Sequence, residues 1–192
     1  MAELNPAVIP LSLYIHMPWC VRKCPYCDFN SHAVPDGELS LELEQEYLHA
    51  LVEDFKTQVD FAQGRQIHTV FIGGGTPSLI SAQGYQWLFD QLQAIIPFAE
   101  GCEITLEANP GTVEHDPFAG YLQAGINRLS IGVQSFNTDH LKRLGRIHSN
   151  EDAISAIGLA REAGFRRINV DLMHGLPEQT LDQALHDLKL AV

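Results

Sequence analysis

The stretch Leu11-Ser-Leu-Tyr-Ile-His-Met-Pro-Trp-Cys-Val-Arg-Lys-Cys-Pro-Tyr-Cys27 runs from an apolar, strand-like segment into a loop with three cysteines within eight residues. Its C-x3-C-x2-C spacing gathers Cys20, Cys24 and Cys27 just beyond a first predicted strand, Leu11–His16. Three thiolates can hold a metal centre and leave one coordination position for a substrate or cofactor. Such a set suits zinc or an iron–sulfur cluster. Structural zinc takes four closed ligands, so His16 or His32 would have to complete it, and no second knuckle follows. Cys24-Pro-Tyr-Cys27 also reads as a glutaredoxin-type dithiol. Domains of that kind are small, however, and neither Cys20 nor the rest of this chain belongs to them. A four-iron cluster with one iron open to an exogenous chelating ligand fits the loop better.

Working outward, short apolar strands alternate with longer amphipathic segments. Strands are predicted at Leu11–His16, His68–Ile72, Cys102–Glu107, Arg128–Val133 and Arg167–Leu172. Helical spacing links Leu48, Leu51, Phe55 and Val59, and again Trp87, Leu88, Leu92, Ile95 and Ile96. Further helices are expected at Glu114–Ala124, Glu151–Ala163 and Thr180–Ala191, with Gly125 and Gly164 as C-terminal stops; Ser31–Gly37 reads as a polar connection. Five βα units imply a parallel sheet. The strand ends carry, in order, the cysteine loop, Gly73-Gly-Gly-Thr-Pro77, Glu107-Ala-Asn-Pro110, Gln134-Ser135 and Asp171-Leu-Met-His174. Polar or glycine-rich residues after every strand are the layout of a barrel's active face, whereas a doubly wound sheet concentrates them at one switch point. The expectation is an α/β fold, a parallel (βα) partial TIM-like barrel of about five units.

The chain has 192 residues, 45% of them hydrophobic, and a formal charge of −12, which suits one globular core and argues against non-specific binding to nucleic acid or anionic membranes. No apolar run is long enough to span a membrane, although peripheral contact stays open. Met1-Ala-Glu-Leu-Asn-Pro does not read as a signal peptide. Three crowded cysteines and a distant Cys102 make a poor disulfide framework, so reduced thiols and a cytoplasmic location are expected. The last helical pattern (Leu181, Leu185, Leu188, Val192) is still running at the final residue. We expect a fragment lacking a sixth strand and a C-terminal domain.

Together the segments Tyr14-Ile-His-Met-Pro-Trp-Cys20, the cysteine loop, Gly73–Pro77, Glu107–Pro110, Arg128-Leu-Ser-Ile-Gly-Val-Gln-Ser135 and Asp171-Leu-Met-His-Gly-Leu-Pro177 resemble the radical S-adenosylmethionine superfamily. Within it they are similar to the group of oxygen-independent coproporphyrinogen oxidases and their haem-chaperone relatives. The resemblance covers nearly all of the chain and implies that residues 1–192 are the N-terminal part of a radical SAM core domain. It implies that Cys20, Cys24 and Cys27 ligate a [4Fe–4S] cluster whose fourth iron is chelated by the amine and carboxylate of S-adenosylmethionine. It further implies cofactor contacts from Tyr14, Tyr26, Gly74, Gly75, Thr76, Glu107, Gln134, Arg146 and Asp171.

Read alone, the same residues leave alternatives open. The glycine run can be a tight strand-to-helix turn or a place where a ligand nears the backbone. Arg146 can pair with a carboxylate, but Lys142 and Arg143 beside it suggest a solvated face. A lone loop histidine is usually solvated, so His148 and His174 receive no role. Phe29 stands where the oxidases carry a further cysteine, two residues beyond the last ligand, and this points to the chaperone branch. That branch implies haem or porphyrin as cargo in the full-length parent, and respiratory client proteins that accept haem. The alternative is an enzyme that cleaves S-adenosylmethionine to a 5′-deoxyadenosyl radical and acts on a porphyrinogen.

Overall fold

The computed structural model describes residue 5 and residues 8–34, 38–110 and 117–192. Among these, the chain forms β1 (Leu11–Met17), β2 (Trp19–Cys20), β3 (His32–Ala33), α1 (Leu41–Thr57), α2 (Val59–Ala62) and β4 (Ile67–Gly74). A 3-10 turn at Pro77–Leu79 leads to α3 (Ala82–Ile95), β5 (Phe98–Ala108), α4 (Phe118–Gln123), β6 (Arg128–Gln134), α5 (Thr138–Arg143), α6 (Asn150–Glu162), β7 (Ile168–Leu172) and α7 (Leu181–Ala191).

The four longest helices begin at hydroxyl caps. Ser40, Ser81, Ser149 and Thr180 each accept a hydrogen bond from a backbone N–H in the first turn of α1, α3, α6 and α7. Asp152 and Gln183 close the last two as capping boxes. Gly125 and Gly164 follow α4 and α6 with positive φ, as their sequence positions predict. The start predicted for α4, residues 114–116, and residues 35–37 of the polar connection lie outside the described residues.

The five long strands form one parallel sheet in the order β1-β4-β5-β6-β7. Neighbours in space are therefore neighbours in sequence, with no switch point. With right-handed crossovers, this order sends every helix to the same face. In agreement, α1 packs on α3, α3 on α4, and α4 on α6. Between sheet and helices lies the apolar core, with Ile15, Val70, Ile72, Ile104, Leu106, Leu129, Ile131 and Val133 all buried.

The opposite face is polar. In register across it run Ser12 and Thr69, then Glu107 and Ser130, then Ser130 and Asn169. Ser12 and Thr69 share a hydrogen bond at 2.8 Å, and Asn169 Nδ2 donates to Ser130 Oγ at 3.0 Å. At its lower end Glu103 takes Arg128 at 2.9 Å and Arg167 at 3.0 Å. Strands that alternate apolar and polar suit a sheet covered by helices on one side only; a doubly wound sheet buries both faces. The fold is therefore a partial, TIM-like parallel βα barrel, with its polar face turned to the lumen.

Candidate functional site

A cavity of about 380 Å³ opens at the C-terminal ends of the sheet strands. The cysteine loop closes one side of it. The two ends of that loop are tied by the small sheet of β2 and β3, with His32 N–H donating to Pro18 O at 2.6 Å and Val34 N–H to Cys20 O at 2.9 Å. This two-residue pairing replaces part of the polar connection expected at Ser31–Gly37, and buries Ser31 and Val34. Inside the loop, Lys23 Nζ donates to Phe29 O at 3.0 Å and to Ser31 O at 3.2 Å. Cys20, Cys24 and Cys27 all line the cavity as free thiols.

Gly74, Gly75 and Thr76 form the next wall. Gly75 N–H donates to Met17 O and Thr76 N–H to Trp19 O, both at 2.6 Å. A Cβ on Gly75 would run into the Trp19 carbonyl. The glycine run is thus a close backbone approach that seats the cysteine loop on the sheet, and at the same time a cavity wall.

Glu107 at the end of β5 accepts the Gly74 N–H at 3.2 Å. Burial raises its pKa and the Asp171 carboxylate adds to this, while the Gly74 N–H and His16 oppose. Asp171 accepts from Ser130 Oγ at 3.0 Å and from Asn169 Nδ2 at 2.7 Å. Gln134 ends β6 with φ 67°, where the pairing to β7 slips in register. Tyr26 lines the cavity beside Cys24 and Arg146, and its phenol pKa is raised chiefly by burial.

Arg146 does not lie on the solvated face with Lys142 and Arg143. It turns inward, with Nη2 donating to Asn109 Oδ1 at 2.6 Å and to Gly132 O at 2.8 Å. Tyr14 is the predicted site residue that the structure leaves outside the cavity lining. Its hydroxyl lies 3.0 Å from His16 Nδ1, while His16 Nε2 lies 2.8 Å from Asn30 O, and its ring stacks on Phe71.

Asn109 and His148 are among the lining residues without a role in the sequence analysis. Asn109 joins Thr76 Oγ1, at 3.2 Å, to Arg146; its place in Glu107-Ala-Asn-Pro110 was the available signal. His148 is buried rather than solvated, and its Nε2 lies 3.0 Å from Val133 O. Burial, with the nearby Arg146 charge, lowers its pKa to about 4. Among the described residues, Nδ1 of His148 and Nε of Arg146 are buried without a hydrogen-bond partner. His174 is exposed, as a lone loop histidine is expected to be.

Among the described residues, no three His, Cys, Asp or Glu side chains converge on one metal ion. Three thiols on one loop are a donor set that suits a cluster, in which each thiolate takes a different iron. A cavity of this size accommodates a nucleoside-sized ligand. The donor set, the glycine wall and the unpartnered Arg146 Nε therefore fit a three-cysteine cluster with a chelating cofactor beside it.

The fold is thus a sequential parallel half-barrel with a three-cysteine loop at the C-terminal ends of its strands. The model of the radical SAM superfamily matches residues 14–191, and the chain belongs to that family. Membership implies a [4Fe–4S] cluster and S-adenosylmethionine.

Among its relatives, the chain is 56% identical over 183 residues to the heme chaperone HemW of Escherichia coli (strain K12), covering 95% of this chain and 47% of that protein. It is 53% identical over 191 residues to HemW of Haemophilus influenzae, covering 97% and 49%. Among solved structures, coproporphyrinogen III oxidase (HemN) from E. coli, described as a radical SAM enzyme, matches with a TM-score of 0.80 at 32% identity, covering 94% of this chain and 41% of that one. The archaeal Elp3 of Methanocaldococcus infernus, at 17% identity and a TM-score of 0.60, shares the fold. The chain spans about half the length of the curated relatives it matches. Among the described residues, no helix is long and apolar enough to cross a membrane.

Proposed function

We propose that this chain is the cluster- and cofactor-binding half of a haem chaperone, a protein that binds haem and passes it to client proteins. The observation that carries the reading is the 56% identity to a protein named heme chaperone HemW, over 95% of the chain. It is supported by the cavity in which the three cysteines meet the glycine wall and Arg146. In this reading residues 1–192 are the N-terminal part of the core domain, with a sixth strand and a C-terminal domain in the parent. Haem would be held with the help of parts of the parent outside this chain, and respiratory proteins would receive it in the cytoplasm.

Cys20, Cys24 and Cys27 would hold the cluster. Gly74, Gly75 and Thr76 would face the methionine end of S-adenosylmethionine, and Tyr26 its adenine, mainly through backbone atoms. Glu107 is suited to the ammonium or ribose hydroxyls, and Arg146 to the carboxylate. Gln134, Asp171 and Tyr14 would supply further polar contacts. When bound, cluster and cofactor supply one-electron chemistry; the protein's share is to orient them and keep water out.

Anaerobic reconstitution with iron and sulfide tests the cluster, and uptake of zinc alone would sink this reading. Cys24→Ala should lose most of the bound iron. Titration of the longer parent with haem should shift the Soret band. The likeness to coproporphyrinogen III oxidase favours a second reading, an enzyme acting on a porphyrinogen. Phe29 in place of a further cysteine speaks against it. Formation of 5′-deoxyadenosine coupled to porphyrinogen turnover would decide for the enzyme.

A further inference from the structure

The segment between α5 and α6 is pressed against the cysteine loop. Gly145, with φ 71°, packs so closely on Pro25 that a Cβ there would stand 2.8 Å from Pro25 Cδ. Any larger residue there would force Pro25 or the Gly145 backbone to shift. Arg146 is also held from the sheet, where Asn109 Oδ1 and Gly132 O fix Nη2. Asn109 is itself anchored to Thr76. With one end of the guanidinium fixed in this way, the other nitrogen, Nη1, points at Cys24 Sγ from 3.7 Å. That contact is an N–H···S hydrogen bond between a permanent cation and one of the three loop thiols.

Resting on the cluster reading above, we propose that Arg146 is a tuning group of the cluster, donating to the Cys24 sulfur, and that Asn109 is the positioning residue that aims it. A reduced cluster carries one more negative charge than the oxidised one. A nearby cation and a hydrogen bond to a ligand sulfur both favour the reduced form, so they raise the reduction potential. The guanidinium keeps its charge at any working pH, so this effect is constant. The same side chain thereby touches a cluster ligand and faces the cavity that receives the cofactor. The pairing of Arg146 with a cofactor carboxylate, given above, concerns a different partner of the same group.

The test is a potentiometric titration of the reconstituted protein followed by electron paramagnetic resonance, without added cofactor. For Arg146→Gln, the ratio of reduced to oxidised cluster at a given potential should fall about tenfold, which is about 59 mV for a one-electron couple. Arg146→Lys, which keeps the charge but loses the fork, should fall less. Resonance Raman should show changed iron–sulfur(cysteine) stretching in Arg146→Gln, a shift that a packing defect remote from the sulfur does not produce. Should Arg146→Gln fail to assemble a cluster, Asn109→Ala gives the same readout with the cation still present, and a downward shift is expected there too. A full iron and sulfide content with an unchanged midpoint in these variants overturns this proposal alone. Failure of the unaltered protein to take up any cluster overturns the cluster reading, and this proposal with it.

Discussion

Gly75 sits where three backbone segments meet, the end of β1, the strand β2 and the turn after β4. Its N–H is used by Met17 O, and a Cβ would run into the Trp19 carbonyl and lie 3.0 Å from Met17 O. Backbone atoms cannot swing aside as a flexible side chain can. Gly75→Ala should therefore cost about 2 kcal/mol, in the range of overpacked cores, and should lower cluster retention; urea unfolding with iron counting checks both. His148 makes a second residue-scale prediction. Folded, its pKa lies near 4, against an ordinary value of 6.5, because burial and Arg146 disfavour its charge while Val133 O and Asp152 oppose. An unfolded chain thus takes up a proton on this group that the folded chain refuses. The stability it contributes is fully present above about pH 6.5 and is lost as pH falls towards about 4. His148→Gln should flatten that part of the profile, read as urea midpoints at about pH 7 and about pH 5.

Buried carboxylates join the elements to one another. Glu44 on α1 accepts the Ser81 N–H at 3.0 Å and the Ser81 hydroxyl at 2.6 Å, at the N-terminus of α3. The absence of a side chain at Gly84 leaves room for it. Asp187 on α7 does the same for β6, accepting from Ser135 Oγ at 2.7 Å and Phe136 N–H at 2.9 Å. Removing either leaves buried donors without a charged partner, so Glu44→Ala and Asp187→Ala should each cost about 2–3 kcal/mol, measured by chemical denaturation. None of this is legible in sequence, since Glu44 lies on a helix rich in exposed acids and its partner is 37 residues away. By contrast, all five sheet strands were legible from their apolar runs, to within a residue or two except at the start of β5, which begins at Phe98 rather than Cys102. The six-residue α5 was missed because it is too short for helical periodicity to show, and the two-residue β2 and β3 have no alternation to read.

At the scale of the whole molecule, sequential strand order leaves β1 and β7 as the two edges of the sheet. The centre and the β7 edge differ sharply in cover. Along β6, Leu129, Ile131 and Val133 are fully buried, whereas every residue of β7 is only half-buried. Local opening follows burial and hydrogen bonding. Amide hydrogen exchange should therefore be slowest in β6 and fastest, among the long strands, in β7; equal protection along the sheet would contradict this order. Exposed apolar residues on α7, among them Leu181, Leu185 and Leu188, lie on the same side of the fold as that edge.

The composition and spacing of the chain determined the fold class and the set of thiols on the cysteine loop, because both are local. An apolar period marks a strand, and three thiols within eight residues stay on one short loop wherever the chain goes. An alternation of apolar and polar residues, broken at Val70-Phe71-Ile72, is also present in the strands and speaks for a sheet with one open face. Only tertiary structure decided the fate of single polar side chains. Arg146 could have sat with Lys142 and Arg143 in water, and it turns inward because Gly145 packs on Pro25 and Asn109 offers a partner. His148 could have been solvated, and it is buried under the end of β6. Tyr14 could have reached the cavity and instead pairs with His16. In each case the outcome depends on a neighbour distant in sequence, or on a backbone approach that no local pattern encodes.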